Sequence, residues 1–221
     1  MKTASRLLVL VLVLVLVALS ALTGCAGTRN VAITPLGEID KEFKRVAKGR
    51  VHIYPVTQSP SIVKNKDGRT SLSQGWTPNS KAEPDYVTDA DLSTVISERS
   101  KQALQEAGYT VTMGPNVPLD AMLTLQENIL GVFENPTTPF ITNMVTVIAF
   151  GFVGTSSHPV GEVYVNVIYK DANGAEKPVI VKGRGMSSAH LTQQSGFDRS
   201  MKFALKDFQE NLVKATGKEL R

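Results

Sequence analysis

From Glu162 to Lys170 the chain alternates in character. Val163, Val165, Val167 and Tyr169 stand against Glu162, Asn166 and Lys170. Successive residues of a strand face opposite sides, so the pattern predicts a strand with one buried and one solvated face. Asn173-Gly174 lies in the following turn, and Val179 to Val181 begins a returning strand. Together they predict a β-hairpin whose loop is longer than two residues.

Other segments fit around that hairpin. Arg50 to Thr57 reads as a first strand, with Val51, Ile53 and Val56 inward and a stop near Pro55. Thr88-Asp89-Ala90-Asp91 reads as a helix start, with Thr88 as the cap and Asp91 completing a capping-box-like pattern. Leu92, Val95, Ile96, Ala103, Leu104 and Ala107 lie mainly on one face of that helix, and Gly108 supplies its stop. Tyr109 to Met113 predicts a strand broken by Gly114-Pro115-Asn116. Asp120 to Phe133 predicts a longer one, with Ala121, Leu123, Leu125, Ile129 and Phe133 on one side. A last helix carries Phe197, Met201, Ala204, Leu205, Phe208 and Leu212 at three- and four-residue spacing. Ser195-Gly196-Phe197-Asp198 is its expected cap and Gly217 its expected end. The order predicts an α+β fold, a mostly antiparallel sheet with two main helices packed on one face.

The N-terminus has a different layout. Lys2 and Arg6 precede a Leu/Val-rich run from Leu7 to Leu19, and Ser20 to Gly24 is smaller and less apolar. Charged start, apolar middle and small-residue exit are the layout of a secretory signal peptide. As a helix the run is about 20 Å long, short of the roughly 30 Å hydrocarbon core, although an anchor that used the flanking residues would just span. Leu22-Thr23-Gly24-Cys25 resembles the lipobox of bacterial lipoproteins, and Cys25 is the only cysteine. The resemblance implies signal-peptidase recognition through Leu22, Thr23 and Gly24, cleavage before Cys25, and acyl chains on Cys25 as the membrane anchor. Ala26, rather than Asp, follows the Cys. By the sorting rule of such lipoproteins this implies the outer membrane, facing the periplasm, in preference to the inner membrane. The expected division is 1–24 signal peptide, 25–48 lipidated Cys and tether, 49–217 one periplasmic domain, and 218–221 tail. Ala26 to Thr34 is read as the tether, and Glu38 to Lys48 as a possible short helix.

Removing residues 1–24 takes away Lys2 and Arg6 and no acidic residue, so the formal charge falls from +4 to +2. So small a charge gives no case for nucleic acid. A lone Cys excludes a disulfide framework, so folding rests on a hydrophobic core. His52, His158 and His190 have no ligand-like spacing, and no Gly-x-Ser-x-Gly elbow occurs. Gly183-Arg184-Gly185 lacks the rest of a phosphate loop and reads as a bulge or turn at a strand end. The residues therefore predict no enzyme, no metal and no cofactor other than the covalent lipid on Cys25.

Two stretches stand outside this core. Gln58 to Tyr86 is long and polar and holds the only Trp, Trp76. That side chain either covers a core edge or is an exposed anchor for a partner. Phe140 to Gly154 carries no charge and includes Phe140, Ile141, Val147, Phe150 and Phe152. It closes the core as a buried strand or helix, forms a subunit interface, or contacts the membrane.

The helix-to-strand run Leu104-Gln105-Glu106-Ala107-Gly108-Tyr109-Thr110-Val111, with the lipobox, hairpin and C-terminal helix, resembles the YajG-like bacterial lipoproteins. The apolar stretch 140–154 departs from that pattern and is similar instead to TraT-like lipoproteins, which carry apolar segments between strands and form oligomers. The lipobox, the missing catalytic set, the long polar loop and the apolar stretch together point to a non-enzymatic envelope lipoprotein whose periplasmic domain binds or supports another envelope component, an unidentified envelope protein. The alternatives are an oligomer-forming lipoprotein and a small-ligand carrier.

Overall fold

The computed structural model describes residues 29–35, 48–72, 86–136, 159–187 and 193–220. They form an α+β fold. The main sheet contains β2 (Arg50–Ile53), β3 (Thr57–Gln58), β6 (Thr110–Met113), β7 (Leu123–Pro136), β8 (Pro159–Asp171) and β9 (Glu176–Met186). Its order is β6-β2-β7-β8-β9, with β3 on β7 beyond the end of β2. The long β7–β8 and β8–β9 ladders are antiparallel; the short pairings of β2 with β6 and β7, and of β3 with β7, are parallel. Pro55 lies in the gap between β2 and β3, where it has no N–H to give the ladder. Tyr54 N and Ser59 N donate to the β7 carbonyls of Leu125 and Ile129 on either side of the gap. A small second sheet, order β1-β5-β4, contains β1 (Arg29–Asn30), β4 (Thr70–Ser71) and β5 (Tyr86–Thr88).

Two helices, α1 (Leu92–Glu106) and α2 (Gln193–Glu219), cover one face of the main sheet. The sheet buries Val51, Ile53, Leu125, Val163, Val165 and Val167 against them. The whole expected stripe of α2, from Phe197 to Leu212, is buried. Full burial of an aliphatic or aromatic side chain contributes about 1.5–3 kcal/mol, so this interface dominates the stability of the fold.

Local signals were displaced by tertiary contacts at four places. The cap of α1 is Asp91, which accepts from Ser93 N at 3.1 Å and from the Thr94 hydroxyl at 2.8 Å. Thr88 instead ends β5 and accepts from Ala90 N. The helix ends as expected: Ala107 is the C-cap, Gly108 has φ +96°, and Tyr109 N returns to Leu104 O. Helix α2 begins before Ser195 and passes through Gly217 to Glu219, so neither the expected cap nor the expected stop and tail holds. Its last turn is fixed by the Lys177–Glu219 ion pair, 2.8 Å, and by the Tyr169 and Thr216 hydroxyls, 3.4 Å apart.

In β7 the register shifts between Ile129 and Gly131. A bulge of this kind inserts one residue and reverses the alternation beyond it. Val132 is therefore buried, and Phe133 turns outward to meet Tyr164 edge-on at 5.9 Å, against the expected inward Phe133. Ala121 lies before the strand, half-buried. Gly183 and Gly185 sit inside β9 in unbroken register with β8, so no bulge or turn is there. Their function is close approach: a Cβ at Gly183 would fall on the Ala204 carbonyl and, at 2.6 Å, on Phe208 N. A Cβ on Gly161, across the ladder, would lie 2.9 Å from the Met201 backbone. The three glycines let α2 rest directly on the strands.

Candidate functional site

The segment expected as a free tether is docked from Arg29 to Pro35. Strand β1 pairs in parallel with β5, and Val31 N donates to Val87 O at 2.7 Å. Asn30 Nδ2 donates to Asp89 at 2.8 Å, and Ala32 N to Asp198 Oδ1 at 2.9 Å. Val31 and Ile33 are buried. At the far end of the segment, Arg99 of α1 donates through Nε and Nη2 to the Thr34 carbonyl at 3.1 and 2.8 Å. It also donates through Nη2 to Thr34 Oγ1 and through Nη1 to Gln209 Oε1 of α2. Gln209 Nε2 returns a hydrogen bond to the Arg99 carbonyl. Arg99 is only 1% exposed, and burial lowers its pKa from 12.5 to about 10, so it stays charged at neutral pH. One guanidinium thus joins α1, α2 and the N-terminal segment. The sequence pointed to it only indirectly: Arg99 occupies the buried phase that runs through Leu92, Val95, Ile96 and Ala103.

Two carboxyls lie between sheet and helices. Glu127 follows Leu123 and Leu125 in the inward phase of β7 and is fully buried. Burial raises its pKa from 4.5 to about 8, and the facing Ser100 hydroxyl opposes that rise only in part. Neither carboxyl oxygen is within hydrogen-bonding geometry of a partner. Glu134, beyond the bulge, is 1% exposed. Burial raises it to about 9, opposed by the Ser200 hydroxyl at 3.0 Å from both oxygens and assisted by the charge of Asp198. Both carboxyls are therefore neutral acids at pH 7.

The predicted site residues Leu22, Thr23, Gly24, Cys25, Trp76, Phe140, Ile141, Val147, Phe150 and Phe152 lie outside the described residues, as do His158, His190 and the possible helix at 38–48 up to residue 47. His52 is buried in β2, with its ring nitrogens 3.0 Å from Thr112 Oγ1 and 2.9 Å from Gly114 O. These neighbours make it a structural residue. Among the described residues no group of three His, Cys, Asp or Glu side chains could hold a metal ion. Nor is any described helix long and apolar enough to cross a membrane. Two clefts, of about 310 and 320 Å³, open on the surface. One lies over the solvated face of the sheet beside Tyr54, Gln126 and Lys170. The other lies beside the Arg69–Asp89 ion pair, 3.0 Å, at the start of α1.

No protein-family model matches the sequence. No curated protein matches it either. The fold is similar to that of a Xanthomonas campestris protein of family DUF330, with a TM-score of 0.53 at 11% identity over 87% of this chain and 97% of that one. A hypothetical protein from Chlamydia trachomatis aligns with a TM-score of 0.45 at 12% identity over 77% of this chain and 97% of that one. A minor lipoprotein from Acinetobacter baumannii aligns with a TM-score of 0.37 at 11% identity over 56% and 84%. At these identities the first likeness extends to the fold and no further.

Proposed function

We propose that this chain is a non-enzymatic bacterial lipoprotein, anchored by acyl chains on Cys25. Its domain faces the periplasm from the outer membrane and binds or supports another envelope component. The observation that carries this reading is Leu22-Thr23-Gly24-Cys25, which closes an apolar run and holds the sole cysteine. The docked segment agrees with it, because β1, paired with β5, starts at Arg29, four residues past the proposed point of acylation. The YajG-like run Leu104 to Val111 supports it too, since α1 ends and β6 begins inside that run. Arg99, Glu127 and Glu134, whose pKa values are displaced by burial, are packed between elements and line neither of the two clefts. Cells fed radiolabelled palmitate should label the wild-type chain and not Cys25→Ser; equal labelling of both refutes the anchor. Crosslinking in intact cells should then recover an envelope protein with the anchored chain, and recovery of none refutes the binding role.

A further inference from the structure

Glu134 stands where the small sheet joins the main one. Its N–H donates to Leu72 O at 3.0 Å, and Leu72 N donates to Tyr86 O of β5 at 2.7 Å. Its carboxyl meets the first turns of α2, where Ser200 Oγ lies 3.0 Å from both oxygens. Those same turns hold the small sheet. Asp198 Oδ1 accepts from Ala32 N at 2.9 Å, and the Phe197 ring packs on the Tyr86 ring with centroids 4.3 Å apart. The contacts Leu72–Glu134, Ala32–Asp198 and Tyr86–Phe197 thus gather around one buried carboxyl.

Ser200 has one hydroxyl proton, and both Glu134 oxygens and Phe197 O, at 2.8 Å, lie within its reach. A carbonyl oxygen can only accept. With a proton on Glu134, Ser200 donates to Phe197 O and accepts from the acid, so every contact has its hydrogen. With Glu134 ionised, one proton must serve two acceptors, and a carboxylate is left buried beside the like charge of Asp198. Burial, aided by that charge, raises Glu134 to about 9. The other neighbours are uncharged or turned away. Gly161 stands opposite Glu134 on β8, and Glu162 lies on the other face of the sheet with Arg184. Arg199 and Lys202 of α2 are exposed, and the small sheet brings Leu72 and the Tyr86 phenol. We infer that Glu134 is a proton-controlled clamp between the two sheets: protonated, it holds the small sheet on β7 and α2, and loss of its proton loosens that joint. In the open form the carboxylate reaches water and ionises near its ordinary value of 4.5. The open fraction therefore increases with pH, by up to about tenfold per unit, until about pH 9. The clamp is independent of acylation at Cys25.

The test is amide hydrogen exchange read by NMR, on the chain as cells make it, extracted into detergent. Rates are taken between pH 6 and 8, each divided by the intrinsic rate of an unprotected amide. The expected result is a protection at Ala32 and Glu134 that falls by several-fold or more per pH unit. Val31, whose N–H goes to Val87 within the small sheet, and Val165 in β8 should stay at least tenfold better protected. Glu134→Gln, an uncharged isostere that still donates to Ser200, should remove the pH dependence at both amides. Glu127→Gln, away from the joint, should leave it in place. A dependence that persists in Glu134→Gln, or that Glu127→Gln also removes, overturns the inference. Loss at Val31 in step with Ala32 means that the N-terminal segment leaves alone, and loss at Val165 in step means that the whole domain unfolds; each overturns the clamp. The Glu134 carboxyl carbon, followed in the same wild-type samples, needs no variant: a resonance already that of a carboxylate at pH 6 overturns the inference as well.

Discussion

Glu127 and Glu134 make the fold's stability fall as pH rises across the neutral range. The folded protein keeps a proton on each carboxyl until about pH 8 and about pH 9, whereas the unfolded chain releases both near 4.5. The folded state binds more protons throughout that window. Their contribution is therefore present in full below about pH 4.5 and is lost progressively as pH rises through the folded values. One pH unit is worth about 1.4 kcal/mol per carboxyl, so moving from pH 5.5 to 7.5 removes ~5 kcal/mol for the pair. That is a large part of the 5–15 kcal/mol typical of a domain. Exposed pairs such as Arg50–Asp120 do not mask it, because each contributes about 1 kcal/mol or less. The assay is urea unfolding of the chain from Ala26 onward, followed by circular dichroism at constant ionic strength. Glu127→Gln and Glu134→Gln should each halve the slope between pH 5.5 and 7.5, and the double variant should flatten it. A wild-type stability that stays level or increases over that interval refutes the burial argument.

Three substitutions probe the contacts that position the domain. Gly183→Ala places a methyl group against the Ala204 carbonyl and Phe208, and should destabilise by about 1–3 kcal/mol in urea titration, whereas Ile180→Ala at an exposed position of the same strand should be near neutral. Asp91→Ala removes the cap that Ser93 N and Thr94 use, and should lower stability by ~1 kcal/mol and raise amide exchange in the first turn of α1. Arg99→Met removes the bonds to Thr34 and Gln209 and should weaken docking of residues 29–35 by about 2–3 kcal/mol. Its readout is faster hydrogen exchange at the Val31 and Ala32 amides, with Val165 in β8 unchanged.

The fold was legible wherever one periodicity ran long enough to decide a face. The alternation of Val163, Val165, Val167 and Tyr169 is realised in β8, and the stripe from Phe197 to Leu212 is the buried face of α2. What failed was decided by a neighbour distant in sequence. Asp198 looks like a cap residue in its local context, yet it receives the N–H of Ala32. Gly217 reads as a stop, yet the turn around it is held by Tyr169 and Lys177 from the hairpin. Gly183 and Gly185 suggested a break because the helix that requires their missing side chains is nowhere in the local sequence. The bulge at Ile129–Gly131 had the same effect on Phe133, reversing a face that the upstream alternation had assigned correctly.

The candidate site was less legible, for a different physical reason. A motif read by a processing enzyme, such as Leu22 to Cys25, acts on an extended chain and is visible as a string of residues. A docked segment is visible only as a pairing. In Arg29 to Pro35 the alternation of Val31 and Ile33 is too short to decide a strand by itself, and the strand exists because β5 offers an open edge and Arg99 offers donors to Thr34. The charged residues that matter most are those lying in phase with apolar ones: Arg99 in the stripe of α1, Glu127 and Glu134 in β7. Placing a charge in a buried phase costs free energy, so such a residue must either gain hydrogen bonds or give up its charge. Arg99 takes the first course through Thr34 and Gln209, and the two glutamates take the second. An ionisable residue on the apolar face of a predicted element is therefore the signal that sequence reading should follow, ahead of the exposed charges that composition counts equally.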